Sequence, residues 1–424
     1  MELDIQAEVL STETVKPSSP TPSTLGTWKL SLLDQLSPPV HIPTILYYAT
    51  SDADNAEKIK RMSTRLQASL SETLTHFYPL AGRIKDRSSI DCNDEGVLFS
   101  LAKININLFD FLRMPRIKSL DKFLPRVSHG VEPENATVQV AVQLNIFASG
   151  SGIAIGVYFF HKMLDAISMD AFLQCWAAIE RDGDKETILQ QLDFTVGSGL
   201  FPPVEAVRSA EQYLLKSHWV VKEGTVLSFI WKCAMAASGK PTKQSVLACA
   251  VNLRPRMVPP LSVYCVGNMA WQAMATSMLS DEDEREKQLS NLVCMLTAAI
   301  AKVDRDHTQG LQGVTRFRKV SSFWEEMERT YSSESLEGPV TTYVASSWCK
   351  LGFNEVDFGW GKPLWVSHSG GKFLPLVPNI ILMDSGRGGD QIEAWVALGE
   401  HEMHILEHDA EFTSFATLNP SIIP

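Results

Sequence analysis

Apolar side chains recur at three- and four-residue spacing through residues 55–77, at Ile59, Met62, Leu66, Leu70 and Leu74. That period places them on one face and predicts an amphipathic helix. The helix has to stop before Pro79, and Leu80-Ala81-Gly82-Arg83 follows as a turn. A different period governs the next strong signal, where Val138, Val140, Val142, Leu144 and Ile146 alternate with Gln139, Ala141, Gln143 and Asn145. Strict alternation predicts a strand with one face buried and the other wet. Ser149-Gly150-Ser151-Gly152 turns the chain, and the returning strand, Ile153 to Phe160, is apolar on both faces except for glycine. Such a strand belongs at the centre of a sheet. A helix is expected from Ala166 to Ile179, with Asp165 as its N-cap.

Weaker signals complete the pattern. Trp28 to Leu33 and Thr44 to Tyr48 resemble short strands, whereas the Pro/Ser-rich stretch Lys16–Pro22 does not suit regular structure. Periodicity fades from about 182 to 216, where Gly197-Ser198-Gly199 and Pro202-Pro203 mark a linker. Beyond it come a helix near 224–237, a strand at Ser245–Asn252 and a long helix around 283–303. Further strands are expected near Trp365, at Asn379–Met383 and at Gln391–Leu398. Helices and strands mix without regular βαβ alternation, which predicts an α+β fold with mixed sheets. Single cores stop growing at roughly 250–300 residues, so 424 residues imply two domains. The boundaries expected are 1–190, a crossover linker at 191–216, and 217–424.

Composition narrows the function. The formal net charge of −11 opposes nucleic-acid binding, which needs basic surfaces. Seven scattered cysteines form no CxxC pair and indicate neither a zinc site nor a disulfide framework. Such thiols fit a reducing, cytoplasmic setting. The acidic N-terminus does not read as a signal peptide, and no apolar run reaches the ~20 residues that span a bilayer. His404-Ile405-Leu406-Glu407-His408 spells an inverted zincin motif, but little chain remains to close a metal site, so no metal is expected. There is no GxSxG elbow.

Two segments carry candidate chemistry. In His161-Lys162-Met163-Leu164-Asp165 a histidine leaves a buried strand where the chain enters a helix. Its imidazole can take a proton from a nucleophile and return it to a leaving group. Asp165 could orient the ring, or cap the helix and pin the loop. The second segment, Asp357-Phe358-Gly359-Trp360-Gly361, combines glycines and aromatics as a rigid loop does.

Together these segments resemble the HxxxD and DFGWG signatures of the BAHD acyltransferases of plant specialised metabolism, and the wording of the chain is similar to the vinorine synthase branch. Further likenesses lie in His76–Arg83, Val251-Asn252-Leu253-Arg254, Gly267-Asn268 and Ser347-Trp348-Cys349. The resemblance implies two domains like chloramphenicol acetyltransferase, mixed β-sheets flanked by helices, and a central solvent channel. It implies a monomer with acetyl-CoA or another acyl-CoA as co-substrate, no permanently bound cofactor, and a small hydrophobic alcohol or amine as acceptor. Carried over, His161 is the base, Asp165 is mainly architectural, and Asp357 pairs with Arg254. The donor to the tetrahedral oxyanion is Trp360, beside Gly359 in the signature loop, or a backbone amide. The acceptor side leaves open O- or N-acylation, a longer or aromatic acyl donor, and an idle ligand-binding form. One departure from the family pattern falls between Pro203 and Thr225, where the chain is shorter than expected.

Overall fold

The computed structural model describes residues 4–50, 53, 55–127, 137–203, 223–239, 244–278, 288–311, 320, 340–368, 378–386 and 391–423. The shortened stretch after Pro203 and the start of the 283–303 helix lie outside them.

The alternating and apolar runs assemble the larger sheet. Its strands are β1 (Ala7–Val15), β3 (His41–Tyr48), β6 (Val97–Ile104), β7 (Val140–Phe147), β8 (Ile153–Phe160) and β12 (Trp365–Ser367), in the order β1-β6-β7-β8-β3-β12. β6 and β7 run parallel, and the other neighbours run antiparallel. A small sheet joins β2 (Thr27–Lys29), β5 (Ser89–Asp91) and β4 (Arg83–Asp86) in that order. The second large sheet has the order β10-β9-β11-β13-β14, from β9 (Gln244–Asn252), β10 (Ala270–Met278), β11 (Val340–Ser347), β13 (Asn379–Asp384) and β14 (Ile392–Ala397). It too mixes parallel and antiparallel pairs.

Helices fill the faces as the apolar stripes direct. α1 (Leu32–Leu36), α2 (Ala56–His76), α3 (Leu108–Arg113) and α4 (Ala166–Glu180) belong to the first half. Leu66, Leu70 and Leu74 of α2 and Phe172 and Trp176 of α4 share one core with Val142, Leu144, Ile155 and Val157 of the sheet. After α5 (Glu186–Leu189) and α6 (Val196–Leu200), helices α7 (Glu223–Ser238) and α8 (Leu289–Ala301) cover the second sheet, with Trp231, Leu292 and Leu296 buried against Leu247 and Ile380.

Two expectations are corrected here. β7 has no wet face: every residue is buried, including Gln143 and Asn145. The segment Ile117–Leu124 crosses that side, and Gln143 Nε2 donates to Lys122 O at 3.0 Å and Asn145 Nδ2 to Phe123 O at 2.8 Å. Buried amides are tolerated because they are bonded. Gly156 allows the crossing, since a Cβ there would stand 2.0 Å from Phe123 O. The run Trp28–Leu33 is not one strand either. It pairs only to Lys29 and becomes helical at Leu32, because Ser31 and Asp34 form a reciprocal capping box.

The halves are not separate in space. Leu32 and Leu33 of α1 are buried in the core of the second sheet, and β12, late in the chain, is an edge strand of the first. The region that joins them holds His161.

Candidate active site

His161 directly follows β8. Its own N–H donates to Val40 O at 2.8 Å, holding it level with the His41 end of β3. Its C=O accepts from Asn268 Nδ2 at 2.8 Å, a contact from the second half of the chain. The ring Nδ1 lies 3.1 Å from Leu164 O. A carbonyl oxygen only accepts, so the neutral imidazole carries its proton on Nδ1 and its lone pair on Nε2. The residue is 3% exposed.

Asp165 is fully buried four residues on. It caps α4 by accepting from Ser168 N at 2.9 Å, and it also accepts from Met269 N at 3.1 Å. Its partner is Arg254, whose guanidinium reaches both carboxylate oxygens at 2.6 and 3.1 Å. Arg254 also donates to Cys265 O, Gly267 O and Ser168 Oγ. Arg254 therefore pairs with Asp165 and not, as expected from the resemblance, with Asp357.

Asp357 pairs with Arg181 at 3.5 Å, both partly exposed. An ion pair of that kind adds at most about 1 kcal/mol. Its main use is inward: Oδ1 accepts from Gly359 N at 2.7 Å and Gly361 N at 2.9 Å. Those bonds close a loop whose φ of 102° at Gly359 and 87° at Gly361 only glycine adopts without strain. Phe358 packs on Trp176 and on Tyr48, and Tyr48 Oη donates to Val356 O.

Two internal rulers locate this loop. α4 has 15 residues, so Arg181, just past its end, stands about 22 Å from Asp165. Trp360 packs on Tyr48, at the opposite end of β3 from His41, again roughly 20 Å away at ~3.3 Å per residue. Trp360 and Gly359 are thus too distant to donate to an oxyanion at His161. The loop instead fixes the chain just ahead of β12, with Leu364 N donating to Tyr47 O.

Residues 5–223 and 204–413 match the model of a family described as Transferase family. The chain belongs to the BAHD acyltransferases. Stemmadenine O-acetyltransferase of Catharanthus roseus is 36% identical over 438 residues, covering 95% of this chain and 97% of that protein. The crystal structure of vinorine synthase is similar with a TM-score of 0.76 and 31% identity, over 96% of this chain and 98% of that one. TRI101 of F. sporotrichioides, solved with coenzyme A and T-2, shares the fold with a TM-score of 0.62 at 20% identity, over 92% and 98%.

In this BAHD chain the two signatures occupy opposite ends of one helix. α4 begins at Asp165 with Arg254 and ends beside Arg181 with Asp357. Between them Asp170 accepts from Gly352 N at 2.9 Å, ahead of the DFGWG loop. Burial pushes the Asp170 carboxyl from 3.8 up to about 6, against hydrogen bonds from Gly352 and Gln174. An acid raised in the folded state favours folding below its unfolded pKa, and that contribution is lost as pH rises through about 6. Two pH units correspond to about 3 kcal/mol. Asp170→Asn removes the titration, so its stability relative to the parent should rise by about 2–3 kcal/mol between about pH 4 and about pH 7. Denaturant unfolding at both pH values checks this, and a constant difference would contradict it.

Asp34 was missed as a site neighbour. Its Oδ1 accepts from Asn268 N at 2.7 Å and Asn268 Nδ2 at 3.0 Å. The Ser31-x-x-Asp34 spacing is a capping signal that could have drawn attention to it. Among the described residues no group of three or more His, Cys, Asp or Glu forms a metal site, and no helix is long and apolar enough to cross a membrane. His404 and His408 are exposed and lie on one helix with ring centroids 4.5 Å apart and planes tilted by 48°. A cavity of about 790 Å³, lined by Asn55, Lys60, Lys103 and Phe147, lies by the β7–β8 turn at the far end of the sheet from His161, so it is not the channel the resemblance implies.

Proposed function

We propose that this chain transfers an acetyl group from acetyl-CoA to a hydroxyl of a hydrophobic plant metabolite, such as an alkaloid, terpenoid or steroid, with His161 as general base. The observation that carries the reading is the Nδ1 contact with Leu164 O, which leaves the Nε2 lone pair to take a proton. The acceptor O–H gives its proton to Nε2 as its oxygen attacks the thioester carbonyl. A tetrahedral oxyanion forms, and a backbone amide is the remaining donor candidate now that Trp360 is placed far away. As the carbonyl reforms, the C–S bond breaks and the CoA thiolate takes the proton back from the imidazolium. The products are an ester and free CoA thiol. Stemmadenine O-acetyltransferase, similar along nearly its whole length, supports acetyl and oxygen over a longer donor or an amine. Asp165 and Arg254 act as the frame of this site, and Asp357 as the frame of the loop before β12. The reading includes a cytoplasmic monomer; six of the seven thiols are buried and none is paired.

Purified chain mixed with acetyl-CoA and a panel of alkaloid, terpenoid and steroid alcohols should release CoA thiol only when an acceptor is present. Mass spectrometry should find the acetyl ester. An N-acyl product would move the assignment to amines, and CoA binding without thiol release across the panel would favour a ligand-binding form.

A further inference from the structure

His161 is gripped by its main chain at two points, Val40 O on its N–H and Asn268 Nδ2 on its C=O. The second grip is itself held. Asn268 Nδ2 has two hydrogens; one goes to His161 O and the other to Asp34 Oδ1, while Asn268 N–H donates to the same oxygen. Oδ2 of Asp34 accepts from Ser31 N at 2.8 Å and Ser31 Oγ at 2.7 Å. A carboxylate has only acceptor sites, so the amide nitrogen must face it; a flipped amide would set oxygen against oxygen. Gly267, at φ 128°, brings this turn up to the carboxylate, and a Cβ there would stand 3.4 Å from Asp34 Oδ1. Asp34 is 1% exposed, and its neighbours Leu32 and Leu33 are rooted in the core of the second sheet. The capping box alone would need neither Asn268 nor the approach of Gly267.

We propose that Asp34 is a positioning residue for acyl transfer, fixing the His161 peptide through Asn268. The inference rests on the function read above and deepens it. Burial raises the carboxyl from 3.8 to about 6 against the bonds from Asn268 and Ser31, so at neutral pH it stands as the ionised acceptor this arrangement needs. Its work is geometric. The site must hold the imidazole to within a fraction of an ångström, and a displacement of ~1 Å can cost about 100-fold in rate.

Asp34→Asn keeps the shape but exchanges an acceptor for a donor. It should lower kcat about 10- to 100-fold with KM for acetyl-CoA and acceptor within about twofold. Asn268→Ala should give the same split, and the double variant should be no slower than Asn268→Ala alone, because the two act in series. Imidazole ¹⁵N NMR supplies a readout that needs no acceptor: His161 should show one Nδ1-protonated tautomer in the parent and a mixture in Asp34→Asn. If Asp34→Asn does not accumulate as folded protein, Ser31→Ala, which removes one donor to the carboxylate, should show the same split at about 2- to 5-fold. The proposal is overturned by a parental kcat with an unchanged tautomer, or by single effects that multiply in the double variant. Absence of turnover in the parent, with the tautomer shift intact, would instead count against the assigned reaction.

Discussion

Arg254→Met is expected to lower the free energy of unfolding by about 3–5 kcal/mol, among the largest effects of any single substitution in this chain. The guanidinium is 1% exposed and its carboxylate partner fully buried. Removing it takes the guanidinium away from Asp165, which keeps the N–H groups of Ser168 and Met269, and takes one donor each from Cys265 O and Gly267 O. An uncompensated buried carboxylate is the costly outcome, more than loss of the pair's own attraction. Arg254→Lys should recover only part of the stability, because one ammonium cannot span two carboxylate oxygens and two carbonyls from a single position. Because Asp165 lies four residues from His161 at the start of α4, the methionine variant should also lose activity wherever it is still folded. Denaturant unfolding followed by circular dichroism gives the stability. A methionine variant within about 1 kcal/mol of the parent would show that the ion pair does not hold the two halves together.

The elements that set His161 in place were legible because their signals are local. The five-residue apolar stripe of α2, the uninterrupted β8 and the Asp165 cap each depend on neighbours in sequence, and each formed as expected. What failed depended on distant contacts. The alternation of β7 reads as half wet because nothing at residues 138–146 announces that Ile117–Leu124 will cover the polar side. The apolar run at Trp28–Leu33 reads as strand, and only the capping box at Ser31 and Asp34 divides it. The resemblance paired Arg254 with Asp357, and no spacing rule points instead to Asp165, 89 residues away in the chain. Trp360 enters, beside a backbone amide, as an oxyanion candidate only through the resemblance, and nothing local in either signature segment gives the distance between them. The length of α4 separates them, and which end of that helix the loop meets is decided by Arg181, Trp176 and Tyr48.

His161→Ala should lower the rate of acyl transfer by about 10²- to 10⁴-fold, the range general-base catalysis supplies. The backbone that holds this position uses only main-chain atoms of residue 161, from Val40 O and Asn268 Nδ2. The alanine variant should therefore fold, and should keep its KM for acetyl-CoA within about threefold while kcat collapses. The decisive measurement is CoA thiol release from acetyl-CoA and a competent alcohol, parent beside variant, with circular dichroism confirming the fold. Loss of at least about 100-fold in kcat is the predicted result; turnover by a folded alanine variant within a few-fold of the parent would contradict the account.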